Sequence, residues 1–262
     1  MRKLFEPTKF PGSFLVNRFQ DFFGDNREEV CAFAFEPNPR HYPRLREIEE
    51  VYNSLGWRVH MFSAGVGTHN ATMYLTQPAS YLQQAAQVTT RRPNRGDVIQ
   101  VPVIDLVEFI RNHVAPRKYY QQGGNSTGKV VVKMDIEGAE FAVLSALLSS
   151  GVLCSLDVIY TEFHNHMSPG LLRSLSTPER PIQYSHILQM IVDASTICKT
   201  RIERLDDESY GRDTILKNPL PLYKGAPPEC AKPDAHCIMT KPLQGMSEES
   251  YRDSVLGMGL IK

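Results

Sequence analysis

The sequence is first notable for what it has little of. Its 29 Lys and Arg are cancelled by 29 Asp and Glu, leaving a formal net charge of +0 over 262 residues. A cancelled charge creates no overall field that gathers polyanions, so nucleic acid is not an expected partner. No apolar run is long enough to cross a bilayer, and the opening MRKLFEPTKF has no apolar signal core. The chain as given thus shows no membrane segment and no signal peptide, and its compartment and oligomeric state stay open. The five cysteines (Cys31, Cys154, Cys198, Cys230, Cys237) form no CxxC and no Cys/His ligand spacing, which excludes a zinc module and a dense disulfide framework. They are expected to be free thiols, with Cys230 and Cys237 the candidate pair near the tail. No G-x-G-x-x-G follows a strand, which disfavours a nicotinamide-dependent enzyme.

What is present is enough apolar and aromatic material for a core, 42% and 9% of the residues. In SFLVNRFQDFFG, Leu15, Phe19, Phe22 and Phe23 share one helical face between Ser13 as N-cap and Gly24 as stop. VCAFAF is strand-like and is closed by the prolines of EPNP. Pro43 then opens a helix carrying Leu45, Ile48, Val51, Tyr52 and Leu55, ended by Gly56, and WRVHMF resumes a strand. This alternation predicts an α/β fold, mostly parallel, with helices on both faces of the sheet.

The pattern loosens over residues 68–128, where ATMYL and VIQVPVI read as strands and DLVEFIRNHV as a helix, so this part is expected to be inserted or capping. It regularises again as strand KVVVKM, helix AEFAVLSALLSSG, strand LDVIYTEFH, helix QYSHILQMIVDAS and strand RIERLD. Residues 219–262 are expected to be irregular, with a closing strand at HCIMT. With no clean linker, a single domain over 1–262 is expected, its core at about 10–215.

In open parallel sheets, ligands bind beyond the carboxyl ends of the strands. Three strand ends carry polar residues there: Glu36, then Asp135 with Glu137, then Glu162 with His164. Glu36 can accept both hydroxyls of a ribose, or it is a solvated carboxylate in a proline turn. Val131, Lys133 and Asp135 share one side of their strand, and Asp135 and Glu137 flank the entrance to the next helix. They are therefore either functional or helix caps joined to a Lys133 ion pair. Glu162, His164 and His166 have the spacing of one strand face, and make an acid/base group, a metal corner or a polar strand exit. The acidic group Asp206, Asp207, Glu208 and Asp213 reads as a solvated turn rather than a calcium loop.

Taken in order, CAFAFEPNP, SAGVG, VPVIDLVEFI, VVVKMDIEGAEFAVL and YTEFH resemble the FkbM family of S-adenosylmethionine-dependent methyltransferases. The likeness runs over about Val30 to His166. It implies a Rossmann-like methyltransferase sheet, S-adenosylmethionine as cofactor, and an oxygen nucleophile on a small molecule or glycan as acceptor. By motif match, Glu36 holds the cofactor ribose, with Pro37 and Asn38 shaping its turn. Asp135 and Glu137 then face cofactor and acceptor, and His164 or Asp135 takes the acceptor's proton, so Asp135, His164 and Glu137 are the expected catalytic residues. No metal ligands are assigned, and a divalent ion held by the carboxylates is the alternative.

One part departs from the family. Where an Asp-x-Gly-rich turn should precede the first helix, the chain has EPTKFPGS, with one glycine and no Asp. Either the chain begins inside the domain, or the turn has diverged and Gly12 and Ser13 at a helix N-terminus still meet the cofactor carboxylate. The competing readings are a catalytically inactive Rossmann-like interaction module and metal-assisted hydrolysis through Asp135, Glu137 and His164.

Overall fold

The computed structural model describes residues 1–25, 30–77, 88–89, 92, 97–118, 128–164, 184–205 and 220–221. It is a mixed α/β structure with two compact units, Met1–Ser63 with Asp207–Lys262, and Ala64–Asp206.

In the first unit, MRKLF is not a strand. It forms a short helix, α1 (Arg2–Phe5), followed by a 3-10 turn Pro7–Lys9. Helix α2 (Phe14–Phe23) begins where expected: Val16 N–H donates to Ser13 Oγ (3.3 Å), and Gly24 ends it at φ 62°, a conformation open to glycine. Strand β1 (Cys31–Phe35), helix α3 (Tyr42–Ser54) and strand β2 (Arg58–Phe62) follow, with Pro43 in the first turn of α3. β1 and β2 pair in parallel, Cys31 opposite Arg58 through Phe35 opposite Phe62. Leu4, Phe5, Ala32, Ile48, Tyr52 and Val59 form the core, with Phe19, Phe23, Trp57 and Leu220 packed on it. The Phe5 and Trp57 rings stack at 5.0 Å, and Tyr52 meets Trp57 edge-on at 4.9 Å. A polar network is buried beside these rings. Arg2 pairs with Glu6 (2.7 Å), and the Tyr52 hydroxyl donates to the same Glu6 carboxylate.

The second unit starts with β3 (Gly65–Gly67), β4 (Ala71–Gln77), β5 (Val88–Thr89) and β6 (Asp97–Asp105), a sheet ordered β3-β6-β4-β5. The two expected strands of this region pair with each other antiparallel (Ala71 opposite Val103), and β3 joins β6 in parallel. A Cβ at Gly67 would come within 2.8 Å of Val103 Cγ1, so a larger residue there would force that side chain to shift. The helical stretch after β6 runs as α4 (Leu106–Phe109), a π-helical turn Ile110–Val114, and α5 (Ala115–Lys118). Asp105 caps it by accepting from Glu108 N–H (3.1 Å), while Asn70 accepts from Asp105 N–H (2.8 Å) and donates to Glu108 (3.0 Å).

The rest of the unit repeats a strand-helix-strand pattern: β7 (Val131–Met134), α6 (Glu140–Ser149), β8 (Val158–Thr161), α7 (Tyr184–Cys198) and β9 (Arg201–Arg204). The three strands form one parallel sheet in the order β7-β8-β9. Phe141, Leu144 and Leu147 of α6 and Ile187 and Ile191 of α7 are buried with Ile159 and Leu156. Each such side chain contributes about 1.5–3 kcal/mol by leaving water.

The thiol expectation needs correcting. Cys154 and Cys198 form a disulfide with Cα atoms 4.4 Å apart across 44 residues of sequence, and Cys31 is disulfide-bonded as well. The cause of the first is topological. α7 runs back between two parallel strands, so its last residue returns to the level where β8 begins, and Arg201 N–H there donates to Asp157 O (2.9 Å). The Cys230–Cys237 pair, the HCIMT strand and the acidic turn at Asp206–Asp213 lie outside the described residues.

Candidate active site

Register creates the site. β7 and β8 are parallel with Met134 opposite Thr161, and Glu162 N–H continues the ladder onto Met134 O (3.0 Å). The residues leaving the two strands, Asp135 and Glu162, therefore emerge side by side. Beyond them the chain turns sharply. Glu137 lies in the left-handed region at φ 52°, and Gly138 follows at φ 101°. A non-glycine residue there is uncommon and strained, a condition that concentrates at functional sites.

The turn is organised by Glu140, the first residue of α6, which is 0% exposed. Its carboxylate accepts from Ile136 N–H (3.1 Å) and from Gly138 N–H (3.0 and 3.2 Å). It also meets His164 Nδ1 at 2.8 Å. The expectation that Asp135 and Glu137 cap α6 is thus corrected: the N-cap is Ala139, with no side-chain cap, and Glu140 reaches backwards to satisfy the turn instead. The Lys133 ion pair is present, Nζ to Asp135 Oδ2 at 3.6 Å.

With Nδ1 committed to Glu140, the other ring nitrogen of His164 faces three carboxylates. Nε2 lies 3.4 Å from Glu162 Oε1, 3.6 Å from Glu137 Oε2 and 3.9 Å from Asp135 Oδ1. Burial alone would lower the imidazole pKa. The Glu140 hydrogen bond and the charges of Glu137, Glu140 and Asp135 outweigh it, and the net direction is upward from the usual histidine range. Asp135, Glu137 and His164 are brought together as a group able to take, hold or return a proton, and Glu162 joins them. His166 is outside the described residues.

Glu36 sits at the end of β1, where its N–H donates to Phe62 O (3.0 Å). Its Oε1 accepts from Asn38 N–H (2.7 Å), so it braces the turn it belongs to. Buried Asn38 accepts from Arg40 N–H (3.1 Å), and Tyr42 Oη donates to Pro37 O (3.0 Å). Burial, then the charge of Glu36, push the Tyr42 pKa up. Ser13 is buried with its hydroxyl engaged in capping α2, and Gly12 adopts φ 85°, so this pair makes a helix entrance.

Sequence reasoning singled out Asp135 and Glu137 at the helix entrance and missed the contact of Glu140 with His164. The available signal was the second acid of E-G-A-E, a carboxylate at the first position of an otherwise apolar helix.

A model of the FkbM methyltransferase domain matches residues 10–195, well over half of the chain and including all three polar strand ends. The searches of curated proteins and of solved structures returned no match. A domain match of that extent identifies the chain as a member of the FkbM methyltransferase family.

Proposed function

We propose that the chain moves a methyl group from S-adenosylmethionine to a hydroxyl oxygen of a small molecule or glycan. In this reading it is a single domain with a continuous, mostly parallel Rossmann-like sheet flanked by helices, with residues 68–128 an inserted or capping region. Glu36 binds the cofactor ribose, Pro37 and Asn38 shape that turn, and Gly12 and Ser13 present helix N–H groups to the cofactor carboxylate. The observation that carries the reading is the group of His164, Asp135 and Glu137 at the exits of two adjacent parallel strands. Methyl transfer from a sulfonium is an in-line displacement, in which alignment and exclusion of water supply much of the rate. The acceptor oxygen must also lose its proton, and this cluster receives it.

Calorimetry of the full chain with S-adenosylhomocysteine tests the reading: saturable 1:1 binding is expected. No heat from a folded sample would overturn it in favour of a non-catalytic interaction module. One feature favours that second reading. The residues ahead of α2 form a helix and a 3-10 turn, where the family places a strand and a glycine-rich turn.

A further inference from the structure

We propose that the exits of β7 and β8 bind a divalent cation through Asp135, Glu162 and His164. Its catalytic role rests on the methyl-transfer reading, whereas its binding does not. One ligand atom from each of the three residues lies within 4.8 Å of the others. The geometry of His164 points to a metal. A carboxylate on Nδ1 is the usual outer partner of a metal-binding histidine, because it fixes the tautomer that leaves the Nε2 lone pair for the ion. Here Glu140 supplies it at 2.8 Å from a fully buried position.

Around Nε2, the Glu162 and Asp135 carboxylate oxygens lie at 3.4 and 3.9 Å. These separations are longer than ordinary hydrogen bonds. They suit ligands sharing one ion: metal–oxygen distances near 2.1 Å put adjacent octahedral ligands about 3 Å apart and opposite ones about 4.2 Å apart.

Charge and satisfaction agree with this. Asp135, Glu137, Glu140 and Glu162 are between 0% and 24% exposed, and Lys133 and His164 are basic groups beside them among the described residues. Sheltered negative charge needs pairing or a metal. Among the described residues, the buried Lys133 Nζ finds no hydrogen-bond partner, although it lies 3.6 Å from Asp135 Oδ2. A water or hydroxyl oxygen on the ion would supply the acceptor it lacks. Two carboxylates and one imidazole leave open positions, and the mixed oxygen and nitrogen set suits Mn²⁺ better than Mg²⁺, which takes oxygen ligands.

An acceptor hydroxyl in an open position is acidified by the ion. Its O–H bond breaks, with the proton passing to the Glu137 carboxylate. The oxygen electron pair forms the new bond to the methyl carbon, and the carbon–sulfur pair stays on sulfur, which becomes a neutral thioether. The ion keeps its oxidation state. In this arrangement Asp135 and His164 are ligands and Glu137 is the proton acceptor.

The test is Mn²⁺ titration of the chelator-treated full chain, followed by electron paramagnetic resonance and calorimetry. One ion per chain is expected, with affinity lowered at least tenfold in both Asp135→Asn and Glu162→Gln, near-isosteric changes whose folding is checked by circular dichroism. Should both variants misfold, Mn²⁺-induced broadening of the His164 imidazole resonance in the wild type replaces them, and its absence counts against the site. No Mn²⁺ binding at millimolar ion, or affinity unchanged in both folded variants, overturns the proposal. S-adenosylhomocysteine is titrated into the same sample. Its binding without Mn²⁺ binding removes the ion alone, and Mn²⁺ binding without it keeps the ion and removes the methyl-transfer reading.

Discussion

Replacing Glu140 should cost more stability than any exposed carboxylate could, and the amount follows from its partners. Glu140→Ala removes the acceptor of two backbone donors, Ile136 N–H and Gly138 N–H, and the partner of His164 Nδ1. A buried donor left without an acceptor costs about 1–3 kcal/mol. Water reaches the part-buried turn and recovers some of that, so the expected loss is about 3–5 kcal/mol, a large share of a typical folding free energy. Glu140→Gln keeps the volume and one acceptor oxygen but loses the charge, and should cost about 1–2 kcal/mol. Urea unfolding followed by circular dichroism measures both, with equal slopes required for the midpoints to be compared. If Glu140 only interacted with the helix dipole, each variant would lose at most about 1 kcal/mol and the two would be alike. Equal, small losses would refute the account of Glu140 as the organiser of the turn.

Three other outcomes are expected. Glu36→Ala should weaken S-adenosylhomocysteine binding by about 1–3 kcal/mol in calorimetry, and unchanged affinity would confine Glu36 to bracing its turn. Cys154→Ser with Cys198→Ser opens a loop of 44 residues, for which chain entropy gives a loss of up to about 4 kcal/mol and a fall in Tm on the order of 10 °C; a fall under about 2 °C would contradict the crosslink. Tyr52 is held above the usual tyrosine range, first by burial and then by its bond to Glu6. A raised folded pKa adds stability that is complete below the unfolded value, about 10, and declines as pH rises toward the folded one. Alkaline destabilisation should therefore begin near pH 10 and be shallower in Tyr52→Phe, as read from Tm against pH; an equal slope would exclude Tyr52 as its source.

The elements most legible in the sequence were those fixed by local chemistry. Ser13 and Gly24 delimit α2 because one offers an oxygen to an N–H and the other tolerates a positive φ. The exits at Glu36, Asp135 and Glu162 could be located because apolar runs end there. Other features depend on tertiary register. Asp135 reaches Glu162 because β7 and β8 are parallel with Met134 opposite Thr161, and no pattern in either segment states that pairing. The disulfide was missed for the same reason, since α7 has to reverse direction before Cys198 can reach Cys154. Glu140 was missed because a carboxylate at a helix start is ordinarily solvated, whereas this one is buried and bonded to His164.

Glu137 carries a further consequence. Its left-handed backbone, φ 52°, is a conformation that glycine or asparagine holds at less cost. Drift toward thermal robustness would therefore tend to replace this glutamate, and each such replacement would remove a carboxylate from beside His164. Under the proton-accepting role proposed for Glu137, durability and chemistry select for different residues at this one position.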